Sequence, residues 1–468
     1  MQYVYSKNFI EFFEQAGFEQ VDYLIGALEY FVEHEISKCE LHKVAPKVFQ
    51  DKFTEIKGKC LTNPLYEDNE EILSILNRSE QVFNSLSDLT MPIGICHGDL
   101  TFSNILFNGN NYYLIDFLDS FIETPLQDIV KIRQDTKYRW SQLMYTKSYD
   151  SVRLNIILDK IDSEIDAFFR KKYLWYRASY KVMQLMNILR ILPYAHEAKV
   201  SRFLVDTLNS ILFEFDKSIS KAIKRDAIKV SSKDTNNNRH SLLVPVAADK
   251  PEYADGLPYV FSLDKAGVIL CLKSIMGLNL DKFDDIYITI LKKHNDLFYI
   301  EESLNLQFKR LGIHNAKVVV LDEPTIDQAE TIYKTIQKEN IQGSIFIKDA
   351  DSFFYTDVNF YNCVAIFPIE KLEVLAPRDK SYVSVDEMYY LTNIIEKVVV
   401  SHYISAGGYS IARADLFCDY YLKLRSYGRL YISHIIYAML LNKEIFRPLI
   451  VRDYLDWGTP FMYNSNMV

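Results

Sequence analysis

The feature that most constrains this chain is a change of texture at KVSSKDTNNNRHS, Lys229 to Ser241. The stretch is polar, carries three consecutive asparagines and shows no apolar periodicity, so it predicts a linker or exposed loop. The chain has 468 residues, too many for one ordinary core. The reading is therefore a domain over 1–228, a linker over 229–241 and a domain over 242–468. The two sides have different periods. Before the break, FIEFFEQAGFEQVDYLIGALEYFVEHEI repeats apolar residues at three- and four-residue steps, so residues 1–90 predict helix. A short β-rich centre follows in PIGICHGDL and YYLIDFLDS, then a second helical block from about Leu126 to Ile223. After the break, LLVPVA, DDIYITIL, AKVVVLD, GSIFIKD and CVAIFPI predict strands. Between them KAGVILCLKSIMGL, EESLNLQFKRLG and TIDQAETIYKTIQKEN predict helices. Such alternation builds βαβ units around a largely parallel sheet, where ligands sit at the carboxyl ends of the strands.

Composition narrows the function classes. A formal charge of −9 gives no general attraction to nucleic acid or to an anionic membrane. Six cysteines lie far apart, with no CxxC pair, which argues against a disulfide framework or a structural zinc site and fits a reducing compartment. The start, MQYVYSKNFIEFFEQAG, has no basic region followed by an apolar run, and no apolar stretch approaches the roughly 20 residues that span a bilayer. The expectation is a cytoplasmic protein with small-molecule ligands and neither nucleic-acid nor membrane partners.

Chemistry concentrates first in HGDLTFSNILFNGNNYYLIDF, His97 to Phe117. Asp99 and Asn104 have the D-x-x-x-x-N spacing of a phosphoryl-transfer loop, and Asp116 follows twelve residues later. A carboxylate at Asp99 takes or orients the proton of an attacking hydroxyl. Asn104 and Asp116 supply the hard oxygens that Mg²⁺ prefers. Gly98 allows a tight turn, and His97 is placed to hold the loop by a hydrogen bond. The bland alternative is a capped turn at HGD and an ordinary strand end at IDF.

These residues resemble the signature of the aminoglycoside phosphotransferase and choline kinase-like enzymes, over about residues 1–225. The resemblance implies a mostly helical kinase-like C-lobe that phosphorylates a small-molecule hydroxyl, with Mg²⁺ and ATP or another nucleoside triphosphate. It makes Asp99 catalytic, Asn104 and Asp116 metal ligands, and His97 and Asp128 (in PLQDIVKI) structural or substrate-side groups. Such kinases carry a β-rich lobe ahead of this one, with a phosphate loop and a lysine. The first ninety residues contain no glycine loop followed by a V-x-K strand. A separate chain that supplies the lobe, a truncated gene product, and a lobe that binds ATP weakly all stay open.

The second concentration is split among LDEPTIDQAETIY, IKDADSFF, AGGYSI and YLDWGT. Paired carboxylates at a strand end, with a distant third, suit Mg²⁺ in the attack of a phosphate on a nucleoside triphosphate. Taken singly, Thr325 is a helix-cap candidate, DAD a solvated turn, GGY a hairpin turn and DWGT a strand end. Together the segments resemble the sugar-phosphate nucleotidyltransferase family, a Rossmann-like (glycosyltransferase-A-like) α/β fold, especially members of bacterial surface-polysaccharide pathways. The resemblance covers roughly 242–462. It implies that Asp349 or Asp351 with Asp456 holds Mg²⁺, that Thr325 and Gln328 lie near the nucleotide (CTP or another) or its acceptor, and that Gly408 and Tyr409 lie near the sugar-like group. The family's opening glycine-rich loop, with its arginine and Pro-Lys, is replaced by VPVAADKPEY, where Lys250 is the cation left to meet phosphates.

The joint expectation is a bifunctional transferase. One half phosphorylates a hydroxylated compound (a sugar, a polyol, choline or a related amine), and the other couples a phosphate to a nucleotide for capsule or lipooligosaccharide precursors. The alternatives are a scaffold or ligand-binding protein built from two degenerate folds, and a protein that keeps one activity.

Overall fold

The computed structural model describes residues 6–109, 111–221, 239–248, 256–372 and 380–458. They divide into two compact units, the first with 6–13, 20–149 and 157–221, the second with 14–19, 150–156 and 239–458. Most of the stretch expected as a linker lies outside the described residues, and the first strand of the second unit starts at His240, inside that stretch.

The first unit is mostly helical. Its main helices are α1 (Phe9–Phe13), α2 (Phe18–Ile36), α3 (Pro46–Leu61), α4 (Glu70–Asn84), α5 (Pro125–Thr136), α6 (Ser151–Lys172), α7 (Leu174–Ile191) and α8 (Ala198–Lys221). Local chemistry starts several of them. Pro46 opens α3, where its missing N–H costs nothing. The Asn69 side chain accepts the Ile72 N–H at 3.1 Å to cap α4, and Thr124 Oγ1 accepts the Leu126 N–H at 3.2 Å to cap α5. Helix α7 is buried at Ser179, Tyr180 and from Val182 through Leu189, and packs on α5 and α8. Two antiparallel pairs interrupt the helices. Strand β1 (Glu40–Val44) pairs with β2 (Leu89–Ile93), and β3 (Ile105–Asn108) with β4 (Asn111–Leu114). The first pair departs from the expected all-helical start, and β4 ends before the IDFLDS expected to continue it. Phe12 stacks on Phe107 at 4.6 Å between centroids and fixes the hairpin on its helical support.

The second unit is built on a nine-stranded sheet. Its strands are β5 (His240–Val246), β6 (Asp285–Leu291), β7 (Ala316–Leu321), β8 (Ser344–Lys348), β10 (Cys363–Pro368), β11 (Ser381–Val385), β12 (Leu391–Glu396), β13 (Tyr403–Ile411) and β14 (Arg447–Ile450). The path runs β12-β11-β13-β8-β5-β6-β7, with β10 on β13 and β14 on β10. Strands β8, β5, β6 and β7 are parallel, as the alternating sequence predicts, and β13 joins β8 antiparallel. A separate ribbon pairs β9 (Ser352–Tyr355) with β15 (Arg452–Asp456). Leu242, Val244, Ile286, Ile288, Ile290 and Phe346 fill the core against this sheet. Helix α9 (Leu270–Lys273) is much shorter than KAGVILCLKSIMGL suggests. Asp264 takes over that segment: it accepts the Ala266 and Val268 N–H groups at 2.9 Å and pairs with Lys273, so a turn at Gly267 replaces the first helical turns. Helices α10 (Lys292–Phe298), α11 (Ile300–Leu311), α12 (Gln328–Glu339), α13 (Ala414–Leu424) and α14 (Ile432–Leu441) complete the unit. No described helix is long and apolar enough to cross a membrane, and all six cysteines are free thiols.

Candidate active sites

In the first unit, helix α5 organises the HGD loop. Asp128 is fully buried one turn into the helix, where it accepts the His97 N–H at 2.7 Å and the Gly98 N–H at 2.8 Å. Three residues on, Lys131 Nζ meets Asp99 Oδ1 at 2.9 Å. Four further, Asp135 accepts the Phe102 N–H at 2.7 Å. Spacings of three and four put all three on one face of the helix, so a single face grips the loop at its start, centre and end. Gly98 is required at the turn: its φ is +82°, and a Cβ there would stand 1.8 Å from the Leu118 carbonyl oxygen.

Within this frame the expected residues gather. The His97 Nδ1 accepts the Asp99 N–H at 3.3 Å, its ring packs on Phe117, and burial lowers its pKa, so the imidazole is neutral and serves the loop. Asn104 donates through Nδ2 to the Asp99 carbonyl (2.7 Å) and carboxylate (2.9 Å), which leaves Oδ1 as its acceptor. The Ile115 N–H bonds the Asn104 carbonyl at 3.1 Å, so the hairpin mouth brings Asn104 beside the Asp116 segment. Asp116 is exposed with φ +59°, and its carboxylate has no hydrogen bond or ion pair among the described residues. Asn104 Oδ1 and the Asp116 carboxylate are the two hard oxygens that could hold Mg²⁺.

Sequence reasoning missed Lys131, Asp135 and Glu35. Glu35, on α2, is buried against Asp128, and burial with that neighbouring carboxylate pushes its pKa far up from about 4.5. Glu35 thus carries the proton of the pair and Asp128 the charge. An acid raised in the folded state binds more protons folded than unfolded between the ordinary and the raised value. Stability contributed by this pair is full below about pH 4.5 and falls as pH rises toward the raised value. Glu35→Gln keeps an amide donor for Asp128 and removes the titration. Denaturant unfolding at pH 6 and pH 9 should show a smaller loss in the variant than in the wild type, and equal losses would contradict the shared proton.

In the second unit, a cavity of about 440 Å³ opens at the carboxyl ends of β5 and β8. Gln328, at the start of α12, donates to Asp349 Oδ1 at 2.5 Å. Burial, then the Asp351 carboxylate, pushes the Asp349 pKa up. The β9–β15 register sets Asp456 opposite Ser352, beside Asp351. Both carboxylates face Gly458: a Cβ on it would lie 3.1 Å from Asp456 Oδ1 and 3.8 Å from Asp351 Oδ2. Lys380 Nζ pairs with Asp456 and bonds Tyr454 OH at 3.0 Å, whereas Asp351's carboxylate accepts no hydrogen bond among the described residues. No three His, Cys, Asp or Glu side chains form a ready-made metal cluster among the described residues. Asp351 with Asp456 is the pair that faces a common point, with Lys380 now supplying the positive charge there.

Three expectations are corrected. The glycine on the cavity wall is Gly407, because β13 alternates: Gly407 (φ +80°) and Tyr409 line the cavity, while Gly408 faces Phe354, Ala365 and Phe346 in the core. Tyr409 is buried, its hydroxyl accepting from Ser405 Oγ at 3.0 Å. Thr325 neither caps α12 nor lines the cavity. Its hydroxyl bonds Thr331 Oγ1 at 2.6 Å, and Asp327 is the cap, accepting the Glu330 N–H at 2.8 Å. The GGY segment lies inside a nine-residue strand and is no hairpin turn. Lys250 lies outside the described residues. Sequence reasoning gave no role to Lys348, Lys380 or Glu396, which takes hydrogen bonds from Ser381 and Ser433 at the cavity wall.

Residues 40–146, which contain the HGD loop, Asn104, Asp116 and Asp128, match the Phosphotransferase enzyme family. No curated protein matches the chain at a significant level. Among solved structures, a nucleoside-diphosphate-sugar pyrophosphorylase from Vibrio cholerae RC9 is 17% identical with a TM-score of 0.41, over 48% of this chain and 98% of that one. An inositol-1-phosphate CTP transferase from T. maritima is 14% identical with a TM-score of 0.39, over 48% and 92%. HddC from Yersinia pseudotuberculosis is 13% identical with a TM-score of 0.35, over 49% and 98%.

Proposed function

We propose that the chain is a transferase of phosphorus-containing groups with a separate centre in each unit. In the first, Asp99 accepts the proton of a small-molecule hydroxyl whose oxygen attacks the γ-phosphorus of ATP or another nucleoside triphosphate, and the nucleoside diphosphate leaves. Asn104 Oδ1 and the Asp116 carboxylate would hold Mg²⁺, which would offset the phosphate charge there. In the second, a phosphate oxygen of a sugar- or polyol-type phosphate attacks the α-phosphorus of a nucleoside triphosphate, and pyrophosphate leaves. Asp351 and Asp456 would hold Mg²⁺ at that centre. A product of the first step is a substrate for the second, which suits the cytoplasmic supply of activated precursors for capsule or lipooligosaccharide.

The observation that carries the reading is the HGD loop. Its Asp99 is aimed by Asn104 and Lys131 and its backbone is pinned by Asp128, all within the residues that match the phosphotransferase family. Calorimetry with Mg·ATP and Mg·CTP tests it, on the wild type, Asp116→Ala and Asp351→Ala. Metal-dependent heat is expected, one nucleotide response being lost in each variant. A second reading, a ligand-binding protein without catalysis, is favoured by one feature: Asp99 and Asp456 are each already paired to a lysine. The absence of heat with any nucleotide would select it.

A further inference from the structure

A cavity of the first unit, about 250 Å³, lies beside Asp99 between α3, α5 and α7. Lys131 joins it to the loop, since the residue lines the cavity and its Nζ reaches Asp99. Four cations border it: Lys52 and Lys59 from α3, Lys131 from α5 and Arg190 from α7. One carboxylate, Glu55, stands among them. It is already held by two lysines, at 2.7 Å from Lys52 and 2.6 Å from Lys59. Arg190 has no ion pair among the described residues. It stacks over Phe121 at 5.2 Å, half-buried, and burial lowers its pKa while the field of Asp99 opposes that. A half-buried guanidinium without a carboxylate partner is a ready counter-charge for an anion that enters the cavity. In a chain of net charge −9, this gathering of cations is set against the overall field.

We infer that the hydroxyl compound phosphorylated at Asp99 is itself an anion, whose carboxylate or phosphate sits between Arg190, Lys59 and Lys131 while its hydroxyl faces Asp99. This rests on the phosphotransferase reading of the first unit and fixes its acceptor class. A quaternary amine such as choline or an aminoglycoside would meet like charge in the same cavity. The planar guanidinium supplies a two-pronged grip on carboxylate or phosphate that lysine cannot reproduce. Arrival of the anion also gives Lys131 a second partner, which loosens its hold on Asp99 and leaves that carboxylate to meet the hydroxyl.

The test is calorimetric titration of the full chain with glycerol 3-phosphate, glycerate, glycerol and choline, followed by assay of each as acceptor with Mg·ATP. The two anions are expected to bind and the two others not. Arg190→Gln, and Lys59→Gln at an exposed position where folding is not at stake, should each weaken anion binding by about tenfold or more. Arg190→Lys should restore only part of the loss. Choline bound or phosphorylated in preference to the anions overturns the inference and leaves the phosphotransferase reading standing. Anion affinity unchanged in both variants overturns it too. So does ATP affinity lost in Arg190→Gln while neither anion binds, since the cavity would then hold nucleotide phosphates. Anions that bind but are never phosphorylated overturn the underlying phosphotransferase reading instead, so the two failures are told apart.

Discussion

Asp99→Ala is expected to slow phosphoryl transfer to a hydroxyl by about 10²- to 10⁴-fold, the usual contribution of a positioned general base. Its effect on nucleotide affinity should be small, because the metal oxygens proposed here, on Asn104 and Asp116, do not need Asp99 to keep their place. Asn104 is anchored twice over: its Nδ2 bonds the Asp99 main-chain carbonyl as well as the carboxylate, and its own carbonyl takes the Ile115 N–H. The loop around it is pinned by Asp128 and Asp135, so the backbone survives the substitution. Asp99→Asn is the sharper comparison. It keeps the size of the side chain and a partner for Lys131, but cannot take a proton. Turnover and KM measured for both variants with one acceptor should show a fall in kcat with KM for ATP nearly constant. A fall confined to KM would make Asp99 a binding group, and a wild-type kcat in Asp99→Asn would remove the general base from the scheme.

The parts of the molecule that were legible in the sequence are those encoded by short-range spacing. The HGD loop, Asn104 and the hairpin are contiguous, so their chemistry and geometry appear together in twenty-one residues. The parallel strands are apolar runs bounded by helices, and period alone reveals them. What stayed hidden depends on which face of an element is buried. A slip of one residue moves every side chain of a strand to the other face, and without knowing which side of β13 meets the core the sequence does not tell Gly407, on the cavity wall, from Gly408, in the core. In KAGVILCLKSIMGL the apolar period hid the turn chemistry of Asp264 and Gly267, which is stronger locally than helix propensity. Helix α5 holds a visible clue, Asp128, Lys131 and Asp135 at spacings of three and four. Polar residues at that rhythm inside a buried helix have to be bonded to something, and here that something is the loop. Glu35 and Arg190 had no such clue, for each is brought to its site by packing across some sixty to ninety residues of chain.

Lys348→Met is expected to destabilise the second unit by about 3 kcal/mol and to abolish metal-dependent nucleotide binding there. The ammonium is fully buried at the end of β8, and its three donors are all used: Asp349 carbonyl, Ser352 carbonyl and Ser352 Oγ, each at 2.8 Å. These bonds tie the turn from β8 to β9 into one shape, and that turn carries both Asp349 and Asp351. Ser352 Oγ in turn donates to the Ala406 carbonyl at 3.0 Å, and Asp349 N–H to the Gly407 carbonyl at 2.8 Å, so the cavity wall on β13 is held by the same group. Methionine fills the volume but takes the Lys348 donor from three buried acceptors and removes a positive charge that acts on Asp349, Asp351 and Asp456. Arginine does not rescue it, since a planar fork cannot direct three donors at one tight turn. The sign of the pH dependence separates this from simple loss of packing. Burial pushes the Lys348 pKa down to about 8, below the ordinary 10.5, although Asp349, Asp351 and Asp456 oppose the shift. Between those values the unfolded chain binds more protons than the folded one, so this group makes stability rise with pH across that window. Unfolding of wild type and Lys348→Met at pH 7.5 and pH 10 should therefore give a smaller rise, or a larger fall, in the variant. Identical pH slopes would mean that the folded amine titrates as it does in the unfolded chain, staying charged across the window, and that the variant loses only packing and hydrogen bonds.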